Sequence, residues 1–207
     1  MKRFVAGAAL LVVALAIGAQ TASAQNYAVP KGVGVTVAAD AYAGIDPSDV
    51  YFLQARAALG LPMIAFQARF IPDVLDAGEN SIGLDAAYGL PLTNVPVSLQ
   101  LQAGVGYGLD SEAITVPAGV VVGFNVPSPM LSVEPWIFPQ VRYVRVDVLG
   151  TTSSNTDFGV TAGLSVGLPG GIGGHVALDY DNAGESISAS LGVHYRISVP
   201  GLGMVGM

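Results

Sequence analysis

The amino-acid sequence predicts an all-β chain closed into an up-and-down antiparallel transmembrane β-barrel. Three observations carry that prediction. Successive segments, most of about the 9–11 residues a tilted strand needs to cross a bilayer, alternate apolar and polar positions with the two-residue period of a two-faced strand. Charged residues make up 11 % of the chain and hydrophobic residues 52 %, whereas a soluble domain carries about 25 % charge. After the amino-terminal segment, no apolar run reaches the roughly 18 residues of a membrane helix. A soluble protein this apolar would expose adhesive surface. A closed barrel turns that surface to lipid and satisfies its backbone groups between strands.

Taken in order, Lys2 and Arg3 precede an apolar run from Phe4 to Ile17, then the small-residue site Thr21-Ala22-Ser23-Ala24 before Gln25. This reads as a secretory signal peptide over residues 1–24, the run being short for a membrane anchor of about 20 residues. Residues 25–207 then form the barrel. With no Cys, disulfides, thiolate metal sites, thiol nucleophiles and a lipidated Cys at the cleavage site are excluded.

Ten alternating segments read as strands: Gly32–Tyr42, Val50–Leu59, Met63–Ile71, Ser81–Gly89, Val97–Gly108, Ala113–Asn125, Ser132–Leu149, Asp157–Leu168, Gly174–Tyr180 and Ser186–Ile197. The alternative count is eight. Two kinds of connection alternate between them. Gly60–Pro62, Pro91–Pro96, Val126–Met130 and Pro169–Gly173 are uncharged and built from Gly and Pro turn chemistry. The others hold acids: Asp46 and Asp49; Asp73, Asp76 and Glu79; Asp110 and Glu112; residues 150–156 running into Asp157; Asp181 and Glu185. With the first strand rising from the periplasm, the plain turns are periplasmic and the acidic loops face outside.

Charge tests this threading, because Arg or Lys facing lipid costs about 2–4 kcal/mol at the bilayer midplane. The proposed outer face holds residues such as Val37, Leu53, Phe66, Leu84, Leu101, Val116, Leu164, Leu178 and Leu191, none charged. Arg56, Arg69, Arg142, Arg145 and Arg196 can all point inward, where Asp40, Asp85, Glu134, Asp147 and Asp179 make the lumen nearly neutral. Placing both Arg142 and Arg145 inward requires a register shift near Tyr143. A β-bulge there would also accommodate the strand prolines, which are Pro117, Pro135 and Pro139. Outward aromatics fall at the two rims, Tyr51, Phe70, Tyr107, Phe158 and Tyr180 at one and Tyr88, Phe124 and Tyr195 at the other, as in the girdles of membrane barrels. Phe66 alone falls at mid-height.

The last strand carries a specific motif. Ser190-Leu191-Gly192-Val193-His194-Tyr195-Arg196-Ile197 resembles the carboxy-terminal β-signal of bacterial outer-membrane barrels: polar, any, Gly, any, any, aromatic, any, hydrophobic. The chain as a whole resembles small barrels of the OmpA-like and opacity-like group. That resemblance implies insertion by the barrel assembly machinery, with Ser190, Gly192, Tyr195 and Ile197 as its signal. It also implies an outer-membrane location in a Gram-negative-type bacterium, contact with outer-membrane lipid and lipopolysaccharide, and a monomer.

Function is less legible. Barrels of about eight strands are filled by their own side chains and open channels come at about 16–18, so a filled or very narrow lumen is expected, with Trp136 and Phe138 pointing into it. The leading reading is a structural or interfacial outer-membrane protein. The alternatives are a narrow passive channel and a secreted soluble barrel holding an apolar ligand, the last requiring inverted facing. An enzyme is not expected: His175 and Asp179 share a face, but Ser165, Ser188 and Ser190 are small lumen-facing residues and the loops build no cleft. No cofactor motif is present, the Gly167–Gly174 run lacking the Lys-Ser/Thr and helix of a phosphate loop. The loop acids match no Ca²⁺-binding spacing. A net charge of −7 disfavours nucleic acid.

Overall fold

The computed structural model describes residues 28–30, 33–46, 51–73, 80–92, 95–124, 126, 128, 130–148, 151–182 and 185–197. The expected signal peptide, the tail after Ile197 and the loop residues Asp49, Asp76 and Glu79 lie outside them. Ten strands follow in order: β1 (Gly34–Asp46), β2 (Tyr51–Gly60), β3 (Ile64–Ile71), β4 (Ser81–Leu90), β5 (Val97–Gly108), β6 (Ile114–Phe124), β7 (Ser132–Val148), β8 (Thr151–Gly167), β9 (Ile172–Asp181) and β10 (Ser186–Ile197). Each pairs antiparallel with its sequence neighbours, and β10 returns to β1, from Val35 opposite Ile197 to Ala43 opposite Ala189, closing the barrel. The ten-strand up-and-down threading is therefore correct, and the eight-strand alternative is not.

The alternation seen in the sequence becomes the inside and outside of the wall. Along β2, Phe52, Gln54, Arg56 and Ala58 are buried while Tyr51, Leu53, Ala55, Ala57 and Leu59 are exposed. Leu84 and Leu191 are each 63 % exposed and Val193 64 %, in a belt running round every strand. Water would penalise such a surface at about 25 cal/mol per Å², and soluble proteins rarely expose contiguous apolar patches beyond a few hundred Å². Apolar outside and Arg inside is the opposite of the facing that a soluble barrel with an apolar ligand requires.

Two expectations are corrected. The sequence predicts a loop over 150–156, yet β8 begins at Thr151 and pairs in unbroken register with β7, from Val148 opposite Thr151 to Ser132 opposite Gly167. Each of these two strands has 17 residues. Their hairpin runs past the ends of its neighbours, β6 stopping at Ile114 opposite Arg145 and β9 at Asp181 opposite Gly159. Beyond the membrane a strand is wetted on both faces, so its Thr, Ser and Asn residues show no alternation and read as loop. Thr remains a good strand former.

The second correction concerns the strand prolines. No bulge or register shift interrupts β7; among the described residues the one shift, between Gly44 and Asp46, lies where β1 meets β10. Instead, pairing lapses on one side of each proline. Pro117 pairs with Arg142 on β7 while the β5–β6 ladder skips from Ala103–Ala118 to Gly106–Thr115. Pro139 pairs with Val160 on β8 while the β6–β7 ladder skips from Gly119–Gln140 to Val122–Ile137. Pro135 pairs with Leu164, and the β6–β7 ladder ends one position short of it, at Gly123–Trp136. A missing N–H costs one rung on one side, which a wall held by a dozen rungs per strand tolerates without slipping.

Candidate functional site: the charged lumen

Inward positions of adjacent strands bring the buried charges together in two groups. In the first, Arg56 Nε donates to Asp40 Oδ2 at 2.5 Å and Arg56 Nη2 to Asp40 Oδ1 at 3.0 Å. Arg56 Nη1 donates to Gln67 Oε1 at 3.2 Å. Gln67 Nε2 in turn donates to Asp85 Oδ2 at 3.3 Å, which stands 3.4 Å from Arg69 Nε. His175 joins from the far side of the seam, its Nε2 2.7 Å from Asp40 Oδ1. The second group surrounds Arg142, whose Nη2 lies 2.9 Å from Asp181 Oδ1 and Nη1 3.9 Å from Asp179 Oδ2. The Thr161 hydroxyl bonds to Asp179 and accepts from Gln140 Nε2. Isolated charges could not be held here; a two-point hydrogen-bonded contact offsets the desolvation of Asp40 and Arg56, whereas Arg69 Nε and Nη2 and Arg142 Nη1 and Nη2 have no hydrogen-bond partner among the described residues and are held by the neighbouring carboxylate charges.

Room for these side chains comes from glycines on the adjacent strands. Arg69 lies over Gly83, Asp85 over Gly104, Arg142 over Gly159, Trp136 over Gly163 and His194 over Gly173, while Asp40 and His175 both reach over Gly192. A methyl group at any of these positions would meet the side chain that covers it. An apolar cluster of Tyr42, Phe52, Ile71, Val121, Trp136, Phe138 and Ala177 occupies further lumen space, with the Tyr42 and Phe52 rings stacked at 4.5 Å.

Of the residues expected to share the lumen, Asp40, Arg56, Arg69, Asp85, Arg142 and Asp179 are buried there, and Glu134 and Arg196 line a cavity within it. Arg145 and Asp147 are not lumen residues. They pair with each other at 3.1 Å on the outward face of the β7–β8 extension, with side chains 47 % and 40 % exposed. Without the anticipated bulge, β7 keeps one parity, which sends Arg142, Val144 and Val146 inward and Arg145 and Asp147 outward. An outward charge is tolerated there because the extension stands clear of the lipid belt. The hydrogen bond from the Thr152 hydroxyl, then the neighbouring Arg145 charge, hold the Asp147 carboxyl below its ordinary value of 3.8.

Three lumen features were missed in the sequence. Asp181, read as a loop acid, is 3 % exposed and pairs with Arg142; its parity with His175 and Asp179 along β9 was the available signal. His175 meets Asp40 rather than Asp179, and Ser165 accepts from Trp136 Nε1 at 3.1 Å. The segment Ala28–Pro30 enters the barrel at the end where the plain turns lie. Val29 is 1 % exposed, packs with Ala65 and Ala87 and donates its N–H to Gln102 Oε1 at 3.0 Å. The cavity beside it, of about 360 Å³, is lined also by Trp136, Glu134, His194 and Arg196.

On β10, Tyr195 and Ile197 point outward at 46 % and 48 % exposure. Gly192 faces the lumen, and the half-buried Ser190 donates to the Ala177 carbonyl. The Gly167–Gly174 run is the end of β8, a turn in which Gly170 and Gly171 take φ of 92° and 90°, and the start of β9.

No family model matches the chain, and no curated protein is similar in sequence. Solved structures similar to it include outer-membrane barrels. The KdgM porin has 12 % identity over 78 % of this chain and 99 % of that one, with a TM-score of 0.47. Neisserial surface protein A has 10 % identity over 80 % and 96 %, at 0.45. The β domain of the Bordetella autotransporter BrkA has 11 % identity over 80 % and 100 %, at 0.49. At such identities and scores none of them assigns an activity to this chain.

Proposed function

We propose that this chain is an integral outer-membrane barrel of structural or interfacial role, with a lumen closed by its own side chains. The observation that carries this reading is the pairing of a lipid-facing apolar belt with a lumen crossed by Asp40–Arg56–Gln67–Asp85–Arg69 and entered from one end by Val29. The barrel assembly machinery reads the β10 motif during insertion. The turn end, which carries both ends of the barrel wall, faces the periplasm. The acidic loops and the β7–β8 extension face outside, among lipopolysaccharide headgroups, and the barrel works as a monomer. Catalysis plays no part in this reading.

The test is fractionation followed by conductance. The full chain is recovered in the outer membrane with a gel mobility that shifts on boiling, and the extracted protein gives small or no conductance in planar bilayers. Stable large openings would replace the closed lumen with a narrow solute channel, and soluble recovery would reject the membrane assignment.

A further inference from the structure

We infer that the cavity at the turn end is a binding chamber for a small organic anion carrying an aromatic or similarly flat apolar body. This goes beyond the closed-barrel reading, which asks nothing of the cavity. Its volume of about 360 Å³ falls within the roughly 300–1,000 Å³ range of small-molecule pockets.

The charge preference follows from which cation is already neutralised. Arg56 lines the chamber but is held in a two-point pair by Asp40. Arg196 lines it too, is partly buried, and among the described residues has no carboxylate within ion-pair distance. Among the described residues its guanidinium makes one hydrogen bond, from Nη2 to the Val33 carbonyl at 3.5 Å. A half-buried guanidinium without a counterion favours an anion, which its planar fork binds at two points. His194, two positions along the same strand face, adds a second polar group beside it. Glu134 also lines the chamber, and its carboxylate accepts from the Ser98 hydroxyl at 3.3 Å.

The preference for a flat body follows from the wall. Trp136 is oriented by the bond from its Nε1 to Ser165 Oγ and seated over Gly163, and Val29, Ala58 and Val166 extend the apolar surface. Offset stacking on a fixed indole rewards a planar ligand.

The same tryptophan supplies the measurement, because the chain has 1 Trp and it lies in the chamber wall. Full-length protein refolded in detergent, its fold checked by heat-modifiable mobility, is titrated with 4-nitrobenzoate, a flat anionic quencher, and in parallel with the cationic 4-nitrobenzylamine. Saturable quenching by the anion, non-saturating quenching by the amine and at least tenfold weaker anion binding in Arg196→Gln are expected. Ala38→Leu, which narrows the chamber and keeps its charge, weakens anion binding at least tenfold and serves where Arg196→Gln does not refold. Equal, non-saturating quenching by both compounds, or saturation unchanged in the variants, overturns the assignment. Binding with no accompanying conductance leaves the closed-barrel reading standing, and the two proposals fail separately.

Discussion

Asp40 on β1 and His175 on β9 stand on strands that flank β10, both opposite Gly192, and they meet 2.7 Å apart over its bare Cα. Gly192 is also the glycine of the motif that resembles a β-signal. Two demands thus fall on one position, and they separate experimentally. Gly192→Ala places a methyl into Asp40 Oδ1 and His175 Nε2, and overpacking of this kind costs about 1–3 kcal/mol. That loss is expected in urea titrations of protein refolded into lipid vesicles, where no assembly machinery is present. A variant as stable as the parent but deficient in cells would assign Gly192 to assembly alone.

The Asp40–Arg56 pair predicts an asymmetry between single and double substitutions. Asp40→Leu leaves a buried guanidinium without its counterion, a loss of about 3–5 kcal/mol by analogy with other broken buried pairs. The double change Asp40→Leu with Arg56→Met removes both charges and recovers most of the stability. Urea midpoints of the parent, Asp40→Leu, Arg56→Met and the double variant give the coupling directly, and additive losses would mean that the pair does not stabilise the lumen.

The amino-terminal segment offers a test that uses the absence of Cys. Val29→Cys introduces a single thiol at a position 1 % exposed, so maleimide labelling of the folded barrel is slow. Adding Gln102→Ala removes the acceptor of the Val29 N–H, and labelling accelerates about tenfold, the factor expected for about 1.4 kcal/mol of lost hydrogen bonding. Equally fast labelling of both proteins would place the segment outside the lumen in solution.

The β7–β8 extension carries a pH dependence of known sign. The Asp147 carboxyl is held below 3.8 by the Thr152 hydroxyl first, and by Arg145. A depressed carboxylate contributes above its unfolded value and loses that contribution as pH falls through the folded one. The Thr152 contact therefore persists through pH 4 and fades below it, and Thr152→Ala raises the Asp147 titration toward 3.8. Carboxyl chemical shifts followed by NMR across this range report both.

Pro139 leaves a gap in the β6–β7 ladder opposite Val120. Pro139→Ala restores a donor where the neighbouring strand lacks one, and a gain of about 1 kcal/mol in the urea midpoint is expected. A loss instead would show that the ring's packing outweighs the rung.

The sequence alone determined the strand count, the order of the strands, the two kinds of connection and the apolar outer face. Each follows from a period-two pattern that a strand between lipid and lumen must obey position by position, as β2 does from Tyr51 to Gly60. The same logic failed at Thr151–Thr156, where water on both faces erases the pattern, and at Arg145, where a bulge was expected to keep charge from lipid that does not reach so high. Tertiary structure alone decided which inward charges meet. Asp40 and His175 are far apart in the chain and become neighbours only when β10 closes onto β1, and the chain's own pattern does not encode the angle at which a ring of strands closes. The glycines beneath Arg69, Arg142 and Trp136 belong to the same class, because a missing side chain acquires meaning only from the neighbour that fills its place.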